Sequence, residues 1–399
     1  TEKLTRRNLQ VRQDVQESLW IRAPTSLRTC REFSKWSSEP TGPCRTSGTT
    51  SARSFRREAG TDQPAAGRNK SLTFFAVLLL HLKARNVPAA VPSSLVIIRN
   101  NTSVTILAAA VRPNTTPTPG RSGGALGPCP DVPPNLLGSL YVEFRTNRTL
   151  QDVRNLVGPF LQQGGRYRPS SCIARQKVAV IIPFRNRYEH LTHWLYYVHP
   201  VLMRQQLDYG VYVINQDGDG AFNRAKLMNI GFVEALIEYD YDCFVFSDVD
   251  LVPIDDRNLY RCSDHPRHLS VAVDKFNFIL PYATIFGGVS ALSKQQFLKV
   301  NGFSNTFWGW GGEDDDMSQR ISYRRMFISR PDSVTGRYKM IQHERDSHND
   351  PNPRRVQKLR ETYFNIIKDG LNSLNYTVRE IRKDLLYTLV TVDVQVPAG

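Results

Sequence analysis

KVAVIIP (residues 177–183), YGVYVIN (209–215) and CFVFSDVD (243–250) decide how this chain folds. The first is a short continuous apolar run ended by Pro183, the pattern of a strand buried on both faces, and the other two read as strands as well. After the first, Leu191, Trp194, Leu195, Val198 and Leu202 recur at helical spacing between Tyr188 and Gln205. After the second, a further helix is expected from Phe222 to Ile237, with Asn223 as an early-turn residue. Strand, helix, strand, helix, strand predicts an α/β fold, a mostly parallel Rossmann-like central sheet flanked by helices, with right-handed crossovers. Open sheets of this kind bind ligands beyond the carboxyl ends of their strands.

Outward from that centre the chain changes character. With 399 residues, 40% hydrophobic and 10% aromatic, it can bury a sizeable core, which excludes wholesale disorder and a fibrous repeat. No apolar run reaches the roughly 18–20 residues of a bilayer crossing, which excludes a polytopic membrane protein. The net charge of +15 is uneven. Residues 1–128 hold 19 Lys/Arg against 7 Asp/Glu, whereas residues 129–399 hold 33 against 30. The excess belongs to a solvated tail without a nucleic-acid motif, so no nucleic-acid partner is expected.

Residues 1–70 read as a basic segment without a fold, and the start at Thr1 reads as a fragment or a processed end. LTFFAVLLLHL (72–82) suits a signal-type apolar region or truncated anchor, so 71–82 is read as a short apolar segment. Residues 83–128, Pro- and Thr-rich, read as an extended stem, leaving 129–399 as the catalytic domain. Asn100, Asn101, Asn114, Asn147 and Asn375 each head an Asn-x-Ser/Thr triplet. Cys129, Cys172, Cys243 and Cys262 are the four cysteines of the folded part. They suit an oxidising lumen, and their spacing leaves all three pairings open.

The chemistry-bearing residues gather after the strands. Asp248 and Asp250 alternate at a strand end, so both can address one point, as a hard divalent cation on a diphosphate requires. Arg185 and Arg187, after Pro183 and Phe184, could grip phosphate with their guanidinium forks. FWGWGGEDDD (307–316) sets two tryptophans among three glycines, as a movable sugar-stacking loop requires. Glu313 to Asp316 then open a helix, and their mutual repulsion is expected to raise at least one pKa. One such carboxylate beside a sugar could deprotonate an attacking hydroxyl. His343 is a plausible metal ligand; Met340, read alone, is core filler, and the two converge only on a turn or helical segment.

PFRNR (183–187), FNRAKL (222–227), FVFSDVDL (244–251), FGGVSALSK (286–294) and WGWGGEDDD (308–316) together resemble the animal β-1,4-galactosyltransferases, from Cys129 to about Val396. The resemblance implies a GT-A type nucleotide-sugar fold. It implies a single-pass Golgi membrane protein with a lumenal catalytic domain, anchored near its amino terminus. It implies Mn²⁺-dependent, inverting transfer of galactose from a UDP-galactose donor to the 4-hydroxyl of a GlcNAc-terminated glycan acceptor. Carried over residue by residue, it makes Asp250, Met340 and His343 the metal ligands and Asp314 the base. Trp310 would close over the donor. Pro183, Phe184, Arg185, Arg187, Phe222, Arg224, Asp248 and Lys275 would line the UDP-sugar site. Glu313, Asp315, Tyr282, Gly288 and Arg355 would hold donor sugar or acceptor. The implied disulfides are Cys129–Cys172 and Cys243–Cys262.

The chain also departs from the family pattern. Ile285 stands where galactosyl-transferring relatives carry tyrosine, which removes bulk near the sugar 2-position and opens N-acetylgalactosaminyl transfer from UDP-GalNAc as an alternative. Val356 and Leu359 replace a larger aromatic and an isoleucine beside Arg355, so acceptor preference and any lactose-synthase regulatory partner stay unassigned. A non-catalytic glycan-binding protein is the other alternative, disfavoured because Asp250, His343 and Asp314 are all present.

Overall fold

The computed structural model describes residues 94–100, 103–109, 126–344 and 349–397, all in the unit Arg85–Gly399. The expectations for 1–70 and 71–82 fall outside the described residues. In chain order the elements are β1 (Ser94–Asn100), β2 (Ser103–Ala109), α1 (Leu150–Val157), β3 (Lys177–Phe184), α2 (Tyr188–Arg204), β4 (Asp208–Gln216) and α3 (Arg224–Glu238). Then follow β5 (Cys243–Ser247), β6 (Leu251–Pro253), β7 (Arg267–His268), β8 (Ala272–Val273), β9 (Val289–Ser293), α4 (Lys294–Lys299) and α5 (Glu313–Tyr323). The last are β10 (Arg337–Met340), α6 (Arg355–Asn365), β11 (Thr377–Lys383) and β12 (Thr388–Asp393).

One sheet runs in the order β11-β12-β4-β3-β5-β9-β7. Its centre, β12, β4, β3 and β5, is parallel, and the flanking strands β11, β9 and β7 pair antiparallel. The expected parallel sheet is thus the middle of a mixed one. Residues 248–288 contain no α-helix to carry a parallel crossover, so β9 returns beside β5 antiparallel. That return matters, because the Asp248 amide donates to the Gly288 carbonyl at 3.1 Å, fastening the acidic strand end to the segment before β9.

The 83–128 stretch departs from its reading as a spacer that resists helix and sheet. β1 and β2 form a hairpin in register from Ser94↔Ala109 to Asn100↔Ser103. No proline falls within residues 93–112, and Val96, Ile97, Ile98, Val104, Thr105 and Ile106 are β-branched, so strand preference prevails there.

β3 shows why the central strands read as unbroken apolar runs: both faces are covered. Val178, Val180, Ile182 and Phe184 pack with Leu191, Trp194, Leu195 and Val198 of α2. Ala179 and Ile181 pack on the other side with Leu227, Met228 and Ile230 of α3. Cys129–Cys172 and Cys243–Cys262 are bonded, the pairing the resemblance implied.

Where α3 crosses the sheet, Gly231 lets the backbones close. A Cβ at that position would stand 2.3 Å from Ile181 Cγ2 and 3.0 Å from Ile214 Cγ1. Gly231→Ala gains about 1 kcal/mol of helix propensity, but the crowded isoleucines are β-branched and buried, and overpacking costs ~1–3 kcal/mol. We expect a lower urea midpoint with an unchanged slope; an equal or higher midpoint would refute the packing argument.

Candidate active site

Three strand ends and two helix starts converge. β3 ends in the buried Pro183 and Phe184, and the chain continues into Arg185. The Arg185 Nη1 donates to the Gly220 carbonyl at 2.6 Å, and its guanidinium lies 5.1 Å from the Phe222 ring centroid. Arg187 reaches further, donating through Nη2 to the Glu344 carbonyl at 3.3 Å. Asn223 caps α3 by accepting the Lys226 amide. This start of α3 points Arg224 into the cleft.

Arg224 joins the two halves of the site. Its Nε donates to Asp248 Oδ1 at 2.6 Å, its Nη1 to Glu313 Oε1 at 3.4 Å and its Nη2 to the Gly288 carbonyl at 3.4 Å. One guanidinium therefore touches the end of β5 and the start of α5. Burial raises the pKa of Asp248, with Asp250 adding repulsion, and Arg224 works against both. Glu313 is likewise raised by burial and by Asp314. Its Oε2 is buried with no partner among the described residues, a vacancy that a ligand hydroxyl could satisfy.

The four consecutive carboxylates have four environments, so the expected repulsion is distributed. Glu313 meets Arg224. Asp314 lies against Gly287, where a Cβ would come within 2.7 Å of its Oδ2. Asp315 accepts the Tyr282 hydroxyl at 3.0 Å, and burial followed by Asp314 raises its pKa. Asp316 turns away: it accepts Arg320 Nε at 2.6 Å and the Thr362 hydroxyl of α6 at 2.7 Å. Arg320, fully enclosed, also donates to the carbonyls of Gly302 and Asp369.

On the other side, Asp250 Oδ2 and His343 Nε2 are 3.0 Å apart. The Ile341 amide donates to the Asp250 carbonyl at 2.8 Å. Register sets Met340, the last residue of β10, opposite Leu251. After Met340 the chain leaves the strand without a turn or a helix through Glu344. His343 Nδ1 lies 2.6 Å from the Glu344 carbonyl, so each ring nitrogen faces an oxygen acceptor, Nδ1 this carbonyl and Nε2 the Asp250 carboxylate. The hydrogen bond to that carboxylate holds the imidazole above its usual pKa. Among the described residues no group of three His, Cys, Asp or Glu is arranged for a metal. Asp250 and His343 are a hard carboxylate and an imidazole, the donor chemistry a divalent cation takes, and Met340, the third ligand the resemblance implies, packs partly on the core.

The tryptophan loop is stitched to a second loop. The Trp310 amide donates to the Asp350 carbonyl at 2.8 Å and the Asn352 amide to the Trp310 carbonyl at 2.9 Å. Trp310 itself is 56% exposed. Gly309 and Gly311 have φ of 77° and 96°, a conformation that needs glycine. Arg355, at the start of α6, stands beside Gly312, with Val356 exposed and Leu359 half-buried behind it. Ile285 is half-buried on the loop between Tyr282 and Gly288. Lys275 is exposed, with its ammonium 5.9 Å from the Phe276 ring; it is not brought against the Arg224 group. Sequence reading missed His268 and Arg330 behind the Ile285 loop. The one lies in a two-residue strand and the other in a loop, and neither position carries a motif.

Residues 129–263 match the family model described as the N-terminal region of glycosyl transferase group 7, and residues 267–344 match the N-terminal domain of galactosyltransferase. The chain is 55% identical over 284 residues to β-1,4-galactosyltransferase 1 of Bos taurus, covering 71% of this chain and 70% of that one. It is 58% identical over 268 residues to human β-1,4-galactosyltransferase 2, covering 67% and 72%. Among solved structures it is similar to the catalytic domain of Drosophila β1,4-galactosyltransferase 7 in complex with xylobiose. There the identity is 26% and the TM-score 0.48, over 56% of this chain and 95% of that one.

Proposed function

This chain belongs to the β-1,4-galactosyltransferase family, and from that premise we propose that it moves galactose from UDP-galactose to the 4-hydroxyl of a terminal N-acetylglucosamine, with inversion. The observation that carries this reading is the Arg224 bridge. It ties Asp248 at the end of β5 to Glu313 at the start of α5, which supports a reading in which a diphosphate end and a hydroxyl-activating end serve one sugar.

Asp250 and His343, with Met340, would hold Mn²⁺, which when bound neutralises charge on the UDP leaving group. Arg185 and Arg187 supply further positive charge to phosphate oxygens at the same rim. Glu313 Oε2 accepts a sugar hydroxyl in place of its missing partner. Asp314, held at the sugar by Gly287, takes the proton of the acceptor hydroxyl as it attacks. A single displacement from the opposite face gives inversion. Trp310 covers the donor, and its glycines allow the loop to open for product release. UDP-GalNAc as donor and binding without turnover are not favoured: the relatives are galactosyltransferases by name. The test is transfer from UDP-galactose to N-acetylglucosamine with and without Mn²⁺, with the product's anomeric coupling read by NMR. A β-1,4 product is expected; no transfer, or an α linkage, would overturn the proposal.

A Golgi lumenal location is part of the proposal. Two disulfides and the family support it. Among the described residues no helix is long and apolar enough to cross a membrane, so an anchor at 71–82 remains a reading of the sequence. Asn147 and Asn375 are exposed in loops, so secretion through that compartment should load both. Glycosidase digestion is expected to shift the protein's mass, by less in Asn147→Gln and in Asn375→Gln. No shift would contradict lumenal folding.

A further inference from the structure

The segment Tyr282–Gly288 carries Tyr282 and Ile285, and behind it lies a clamp that the transfer chemistry does not itself use. Arg330 Nη2 donates to two of its carbonyls, Ala283 and Ile285, at 2.8 Å each. The same guanidinium donates through Nε to His268 Nδ1 at 3.2 Å. With Nδ1 accepting, the imidazole carries its hydrogen on Nε2, which donates to the Gly287 carbonyl at 3.0 Å. Ser270 donates to that carbonyl as well, at 3.2 Å, and accepts the Val289 amide at 2.8 Å. His268 is 1% exposed. Burial first and the Arg330 cation second keep it neutral, with a pKa lowered to about 3.

Two of these contacts, to Ile285 and Gly287, border the site, and Gly288 follows directly. Ile285 faces the donor pocket on the present reading, Gly287 forms the wall against Asp314, and Gly288 binds both Asp248 and Arg224. On the front of the segment, the only hydrogen bond from Tyr282 among the described residues is that of its hydroxyl to Asp315, which itself sits on α5. The segment is therefore held from behind, by hydrogen bonds to its carbonyls.

We infer that Arg330, acting through His268 and directly on the Ala283 and Ile285 carbonyls, is the positioning residue that fixes the sugar pocket and so the choice between donors with and without a 2-N-acetyl group. The geometry needs a planar fork with several donors in fixed directions. Lysine keeps the charge but has one head group, so it cannot span His268 Nδ1 and the two carbonyls together. This inference rests on the galactosyl-transfer reading above.

The experiment compares the whole protein with Arg330→Lys and Arg330→Met. It measures kcat and KM for UDP-galactose and UDP-GalNAc, the inhibition constant of UDP and the thermal midpoint. We expect kcat/KM for UDP-galactose to fall about tenfold in both variants, and the ratio of the two donors to shift about fivefold, with UDP inhibition within about twofold of the parent. A clamp that only stabilises the fold would lower the thermal midpoint and both donors in proportion, leaving the ratio unchanged, and that result overturns the inference. If Arg330→Met does not fold, the ratio in Arg330→Lys decides alone. Absence of transfer in the parent protein would instead overturn the function reading, so the two failures are distinct.

Discussion

Asp314→Asn is expected to lower kcat for galactosyl transfer by about 10³, within the usual range for a lost general base, while the inhibition constant of UDP changes by no more than about twofold. The substitution keeps shape and removes the proton acceptor. Gly287 leaves room for the side chain that stands there, so asparagine fits without moving the wall. The neighbours carry other duties: Glu313 is engaged by Arg224, Asp315 by Tyr282 and Asp316 by Arg320. None is positioned to substitute. Single-turnover measurement with saturating donor separates chemistry from product release, and near-parental turnover in Asp314→Asn would remove this residue from the base role.

The second large effect concerns the cation. His343→Ala and Asp250→Asn are each expected to weaken apparent Mn²⁺ affinity by about 100-fold or more, since loss even of a supporting contact costs 10–100-fold. Chelation of the parent protein should abolish transfer, and added Mn²⁺ should restore it. Metal titration followed by spin relaxation of water gives a readout that does not depend on turnover. Parental affinity in both variants would mean that the 3.0 Å approach of His343 to Asp250 is only an ion pair. Met340→Ala should weaken affinity less, since the thioether is the softest and least demanding donor of the three.

The centre of the fold was legible because its strands are covered on both faces. Apolar runs at 177–183, 209–215 and 243–247 cannot be sheet edges facing water, and each became β3, β4 or β5 with ends displaced by no more than a residue. The helices between them followed from the spacing of Leu191, Trp194 and Val198. Of the antiparallel flanks, β7 was the least legible, because it is two residues long and leaves no periodicity. The hairpin at 94–109 was passed over because proline on either side masked a β-branched run. At the site, motifs located every residue that meets Arg224. They could not show that Asp316 faces inward, since four adjacent carboxylates look alike until a helix assigns each a direction. Arg330 was invisible for a similar reason: besides His268, its partners are backbone carbonyls, and carbonyls have no sequence signature.

The enclosed Arg320 has a consequence for how the cleft comes apart. Its guanidinium is held by Asp316 in the first turn of α5 and by the Asp369 carbonyl just past α6, while Thr362 ties α6 to the same aspartate. A stranded cation in that space is very costly, so neither helix can fray without taking the other with it. The first turn of α5 and the helix α6 are therefore expected to melt as one cooperative block, so heating should release both together rather than loosen the outer one first.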